Sequence, residues 1–163
     1  MATPLGHGIV GYALARAAGV QSPQGLALAV GAATLPDVDF LMGYVANGDV
    51  LSMHQQVITH KPVFPLLVGA AAGLAAAGAA LLRGRLPTLR EVLRPAVLAA
   101  GLVGSHTVMD PLPLPYDNLR PQSTPRDMVA VQAWNAVIDM AIYGTLAVMA
   151  LERNGARQSS AKA

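Results

Sequence analysis

The stretch VFPLLVGAAAGLAAAGAALL runs from Val63 to Leu82, 20 residues without one charged side chain. At ~1.5 Å per residue a helix of that length covers roughly 30 Å, the thickness of a bilayer's hydrocarbon core. It reads as a transmembrane helix, and its Gly69-x3-Gly73 spacing would let a second helix approach closely. The whole chain of 163 residues agrees: 53% are hydrophobic, 12% charged and 4% aromatic, with a mean hydropathy of +0.45. The charged share is about half that of a typical soluble domain, and Ala, Leu, Val and Gly supply the apolar mass. That excludes disorder, a coiled coil and an aromatic-rich β-sandwich. A soluble Ala-rich bundle is the competing reading.

Outward from that segment, four more helices are expected. Thr3-Pro4 and Ser22-Pro23 each put a capping residue before a proline, which predicts helices over about 4–18 and 23–35, the second stopped by Pro36. Both are short for a full span. Residues 40–60 read as loop with at most a short helix. Thr88 to Glu91 fits a capping box and opens a helix towards Asp110, with Pro95 able to kink it. PLPLPYDNLRPQSTP, residues 111–125, holds five prolines and reads as loop. Thr124 then caps a last helix running to about Leu151. The expectation is an all-α, multi-pass transmembrane bundle of about five helices, some short or interfacial. It forms a single domain over 1–152, with a polar, frayed tail over 153–163.

Charge gives direction. Arg83, Arg85, Arg90 and Arg94 flank the connector after the 63–82 helix, and Arg153, Arg157 and Lys162 lie in the tail. The positive-inside rule puts both regions, with the C-terminus, in the cytoplasm. The N-terminus, residues 36–62 and residues 110–124 then face the other side of an inner membrane. A net charge of +2 without a dense basic block speaks against a nucleic-acid partner. The absence of cysteine removes disulfides, thiolate metal sites and a cysteine nucleophile. The first residues lack a basic region ahead of their apolar run, so a cleavable signal peptide is not expected.

The chain's four histidines each lie close to an aspartate or another histidine. His7 stands in the first turn of the first helix. Asp37 and Asp39 form LPDVD, and His54 and His60 fall in MHQQVITHKP before the 63–82 helix. His106 and Asp110, four apart, share a helix face. Under the charge-derived topology all of them meet on the non-cytoplasmic side. Asp139, inside the apolar last helix, counts to a similar depth as His106, and an ionisable residue there is a candidate by default. Asp49, Asp117 and Asp127 read as solvated or capping residues. Imidazole nitrogens with carboxylate oxygens suit zinc, with manganese, iron or nickel as alternatives. Six or seven ligands exceed one tetrahedral ion, so one or two metals are expected, a pair being bridged by Asp110 or Asp37. Paired metals can activate water and clamp a phosphoryl displacement.

The order PLGHGIVG, LPDVD, HQQVITHKP and HTVMD is similar to the pattern THxxxG, LPDxD, HRxxTHS and HxxxD. That pattern belongs to the LexA-binding, inner-membrane-associated metal-dependent hydrolases, which bear a distant likeness to zinc phospholipase C and P1-type nucleases. The resemblance spans residues 3 to about 110. It implies a multi-pass membrane protein with a divalent-metal site built from His7, Asp37, His60, His106 and Asp110, with Asp39 as second aspartate. Gly6 replaces the motif's Thr and Lys61 its final Ser. Gln55 and Gln56 stand near the missing Arg, and His54 lies six residues before His60 rather than five.

Two readings follow. In the first, a membrane hydrolase uses His7, Asp37, His60, His106, Asp110 and Asp139 around zinc, with Asp39 or His54 as general base or orienting group, on a phosphoester or lipid near the membrane surface. In the second, a structural metal or a His–Asp network locks a non-catalytic protein, or the chain transports a divalent cation. An open coordination position separates them, since a catalytic metal needs one.

Overall fold

The computed structural model describes residues 2–54, 56–112, 114–116 and 124–160. Among these residues the chain is all helical. Its helices are α1 (Pro4–Ala17), α2 (Pro23–Thr34), α3 (Val38–Asn47), α4 (Val63–Leu82), α5 (Leu89–Met109), α6 (Pro125–Asp139) and α7 (Thr145–Ser160). The starts follow the capping residues: Thr3, Ser22, Thr88 and Thr124 each accept a backbone N–H with the side chain, and Thr88 and Thr124 form full capping boxes with Glu91 and Asp127. Pro95 is accommodated inside α5.

Three elements differ from the expectation. The second α-helix ends at Thr34, as Pro36 predicts, but Pro36 does not break the helical path. It opens one 3₁₀ turn, Leu35–Asp37, and α3 continues directly, so Pro23–Asn47 is a 25-residue helical run. A proline lacks the donor that an α-helix interior needs but fits the first turn of a new helical segment. Residues 38–47 are therefore helix rather than loop, ended by Gly48 in the left-handed conformation at φ +70°. The last helix is interrupted after Asp139 by a π-helical turn, Met140–Gly144. Finally, α7 carries the helix through Ser160, beyond the point where the tail was expected to fray. Gln55, Asp117, most of the 111–125 loop and Lys162 lie outside the described residues.

Four helical runs are long and apolar enough to span a bilayer: Pro23–Asn47, Val63–Leu82, Leu89–Met109 and Arg126–Glu152. The shorter α1 is not one of them. At most 28% of the most apolar stretch of any run is buried inside the protein, and Leu28, Val45, Leu74 and Leu82 are largely exposed. By contrast, the fully buried side chains include His7, His106, Asn135, Asp39 and Asp139. An exterior of bare aliphatics around a polar interior suits lipid and not water. The soluble-bundle reading is set aside.

α4 packs along α5, and α1 lies on α2 and against the last helix. The close approaches use glycine. A Cβ on Gly69 would sit 2.7 Å from the Ala96 carbonyl oxygen and 2.9 Å from the Ala100 Cβ; one on Gly11 would sit 2.6 Å from the Ala33 Cβ. The Gly69-x3-Gly73 pair is thus spent on α5 of the same chain. Chain direction separates the two ends: α4 begins just after His60 and finishes at Arg83, and α5 returns from Arg90 to His106. The Arg94 guanidinium donates to the Ala18 carbonyl at 2.8 Å, binding the ends of α1 and α5 on the basic side.

Gly69→Leu is expected to destabilise the chain by about 1–3 kcal/mol by forcing α4 off α5. Gly78→Ala, where a Cβ meets nothing within 4 Å, is expected to be neutral. Thermal unfolding of the detergent-solubilised protein measures both, and equal shifts would contradict the packing described.

Candidate metal centre

The histidines and aspartates arrive from four directions at the end of the bundle away from Arg83, Arg85, Arg90 and Arg94. His7 comes from the first turn of α1, where its N–H bonds the Thr3 carbonyl at 3.0 Å. Asp37 and Asp39 come from the 3₁₀ turn at Pro36 and the start of α3. His54 lies in the turns after α3, and His60 ends a second 3₁₀ turn, Ile58–His60, immediately before α4. His106 and Asp110 close α5, 3.4 Å apart.

At the centre, His60 Nε2 and His106 Nε2 face each other at 3.2 Å. One Asp110 oxygen lies 3.4 Å from each of them, and the other lies 3.3 Å from His7 Nε2. Asp37 Oδ1 is 3.4 Å from His106 Nε2. The His7 and His106 rings stack at 3.6 Å. On one flank Asp39 bridges two histidines, 3.1 Å from His54 Nδ1 and 2.9 Å from His60 Nδ1, and Phe40 stacks on His54 at 4.2 Å.

Ring protonation follows from the partners. His106 Nδ1 lies 3.0 Å from the Ala33 carbonyl, which can only accept, so that nitrogen carries a proton. His60 Nδ1 meets the acceptor Asp39 in the same way. In the neutral tautomers both Nε2 atoms then present lone pairs to each other, which is repulsive unless a proton or a cation lies between them. A proton on His60 can fill that role. Burial pulls the His60 pKa down, but contacts with Asp110 and Asp39 outweigh it and push it up to about 9. Burial raises the Asp110 carboxyl, yet His106, His60 and His7 together hold it well below the usual carboxylate range.

Several buried atoms make no hydrogen bond: both His7 ring nitrogens, Asp37 Oδ2, His54 Nε2 and both Asp110 oxygens. Orphaned polar atoms in a buried cluster are costly unless something compensates them. Separations of 3.3–3.4 Å without hydrogen-bond geometry are what ligands aimed at a common point, rather than at one another, would show. Three overlapping groups have donor atoms within 4.8 Å of one another: His7, His106 and Asp110; Asp37, His60 and His106; Asp39, His54 and His60. The residues present therefore fit one or two divalent ions. A cleft of about 450 Å³ opens over the cluster, lined by His60, Lys61, Thr107, Asp110 and Pro111.

Asp139 is placed differently from the other candidates. It is fully buried, but none of its hydrogen bonds or ion pairs reaches a histidine. Its Oδ2 accepts the Thr3 N–H at 2.8 Å and the Thr3 hydroxyl, and its Oδ1 accepts the Tyr116 hydroxyl. A Cβ on Gly6 would lie 2.5 Å from the Asp139 carboxyl carbon, so a glycine at that position is what lets the carboxylate reach Thr3. Equal depth along two helices fixes height, not azimuth; the loop after Asp110 brings Tyr116 to Asp139 ahead of any imidazole. Asp49 caps the Leu51 N–H at 2.9 Å and Asp127 caps α6, both local roles. Tyr116 and the Ala33 carbonyl carry no motif that marks them in the sequence, while Thr3 reads there only as a helix cap and Gly6 only as a departure from the motif.

Compared with known families, residues 1–160 match the YdjM inner membrane protein family. No curated protein and no solved structure matches the chain. A match over nearly the full length, on a chain with four helices of membrane-spanning length, is decisive for kinship: the chain belongs to the YdjM inner membrane protein family.

Proposed function

We propose that this inner-membrane protein is a metal-dependent hydrolase that cleaves a phosphoester in or beside the lipid headgroup layer. The observation that carries the reading is the facing pair of Nε2 atoms, 3.2 Å apart, with Asp110 beside both. Each ring has its other nitrogen committed to an acceptor, which leaves a donor set aimed at a cation. His7, Asp37, His60, His106 and Asp110 would hold it. Nitrogen and carboxylate oxygen without thiolate suit zinc, with manganese or iron as alternatives. What a divalent ion supplies in such a site is Lewis acidity towards a phosphoryl oxygen and a lowered pKa for water.

The chain's own residues do the rest. Asp39 holds His54 and His60 through Nδ1 and turns both Nε2 atoms inward, as carboxylates behind metal-bound histidines commonly do. His54 Nε2, buried and without a hydrogen bond, is the group available to take a proton from attacking water. Asp139 acts at one remove as a positioning residue: it fixes Thr3, whose hydroxyl accepts the Gly6 N–H and whose carbonyl accepts from His7. It also holds Tyr116, six residues past Asp110. A structural metal is closed on all sides, whereas the cleft over His60 and Asp110 offers an open approach. The charge distribution supports a non-cytoplasmic position for this end of the bundle, with the C-terminus in the cytoplasm.

Metal analysis of detergent-purified protein tests the centre directly. One to two equivalents of divalent metal are expected in the wild type and a clear loss in His106→Ala; equal content in both would overturn the reading. Asp139→Asn is expected to weaken metal binding about tenfold or more without the same loss on Thr3→Ser, which keeps a hydroxyl. Chelator competition reads the affinity, and an unchanged value for Asp139→Asn would reduce that residue to local structure. A C-terminal alkaline phosphatase fusion is expected to be inactive; periplasmic activity would reverse the orientation.

A further inference from the structure

The cleft beside the cluster differs in chemistry from the other grooves of the protein. A groove of about 530 Å³ is walled by aliphatics such as Leu14, Leu93, Val97 and Leu98, as expected of a face turned to acyl chains. The 450 Å³ cleft is instead lined by His60, Asp110, Lys61, Thr107 and Pro111. Lys61 is one of two lysines in the chain, and Arg83, Arg85, Arg90 and Arg94 all belong to the opposite end of α4 and α5. It stands between the 3₁₀ turn that carries His60 and the start of α4 at Val63. That is the boundary of an apolar span, the depth at which a lysine ammonium meets lipid phosphates.

Charge sets the class of ligand. Asp37, Asp39 and Asp110 make the bare cluster repel anions. Two divalent ions would more than cancel three carboxylates, and Lys61 adds a further positive charge at the mouth. We propose that this cleft is the anion subsite of the centre and that Lys61 docks the phosphate group of the substrate, a step that rests on the metal reading above. The ammonium supplies a charge-assisted hydrogen bond to a phosphate oxygen, holding the ester over His60 and Asp110. Thr107, whose hydroxyl donates to the Gly104 carbonyl at 2.9 Å, contributes a wall and not a charge. The phosphate comes either from a lipid headgroup or from a water-soluble ester.

Zinc-loaded full-length protein in phosphatidylcholine nanodiscs, titrated with inorganic phosphate, tests this assignment. Wild type and Lys61→Arg are expected to bind phosphate alike. Lys61→Gln is expected to keep its zinc and its thermal midpoint while losing about tenfold in phosphate affinity. Equal phosphate affinity in wild type and Lys61→Gln, with zinc retained in both, overturns the Lys61 assignment and leaves the metal reading standing. Failure of the wild type to take up zinc overturns the metal reading itself, and the subsite with it. Displacement of bound phosphate by phosphatidic acid placed in the nanodisc assigns the docked group to a headgroup; displacement by glycerol 3-phosphate alone assigns it to a soluble ester. Displacement by neither overturns the subsite.

Discussion

Two imidazole nitrogens pointed at each other across 3.2 Å inside an apolar bundle cannot both be bare. His60 is held in that pose by Asp39 and His106 by the Ala33 carbonyl. The pose therefore calls for a positive charge between the two rings, which a proton or a bound cation can supply. Asp110, Asp37 and His7 are arranged about the same point. Most of what is unusual in the fold can be traced to holding these groups there.

The scaffold is built inside out by the standards of a soluble protein. Its helices turn leucines and valines to the exterior and reserve the interior for His7, His106, Asp39, Asp139 and Asn135. Lipid gives apolar side chains no reason to turn inward, so helices meet through small residues and through polar contacts. Both devices are in use. Glycines let α4 lie against α5 and α1 against α2, and carboxylates stitch elements distant in sequence. Asp139 is the clearest case, joining the start of α1, the loop after α5 and the last helix through Thr3 and Tyr116. The π-helical turn directly after it shifts the register of the helix at that point, a feature that often accompanies a functional site.

The polar cluster and the basic rim occupy opposite ends of the same helices. This polarity explains how a chain with so few charges can be oriented in a bilayer and still assemble a buried ionic centre. Lys61 lies beside the aspartates instead, and it lines a cleft that reaches His60 and Asp110.

Helix number, most helix starts and the His–Asp partnership were legible from spacing alone. A capping residue before a proline, an uncharged run of membrane length and a histidine four residues before an aspartate are local signals, set by the geometry of a single helix. The five residues around the facing nitrogens share that legibility because each sits at a helix end, where chain direction already fixes the side of the bundle. The misread elements are those where a neighbour overrides the local signal. Pro36 reads as a stop, yet a 3₁₀ turn lets the helix go on. Asp139 is read from its depth alone, and the partners that hold it, Thr3 and Tyr116, belong to elements that its own helix does not name. Periodicity along one chain carries height and face, while azimuth between helices depends on which side chains pack, and that is settled only when Gly6, Gly11 and Gly69 bring the backbones together.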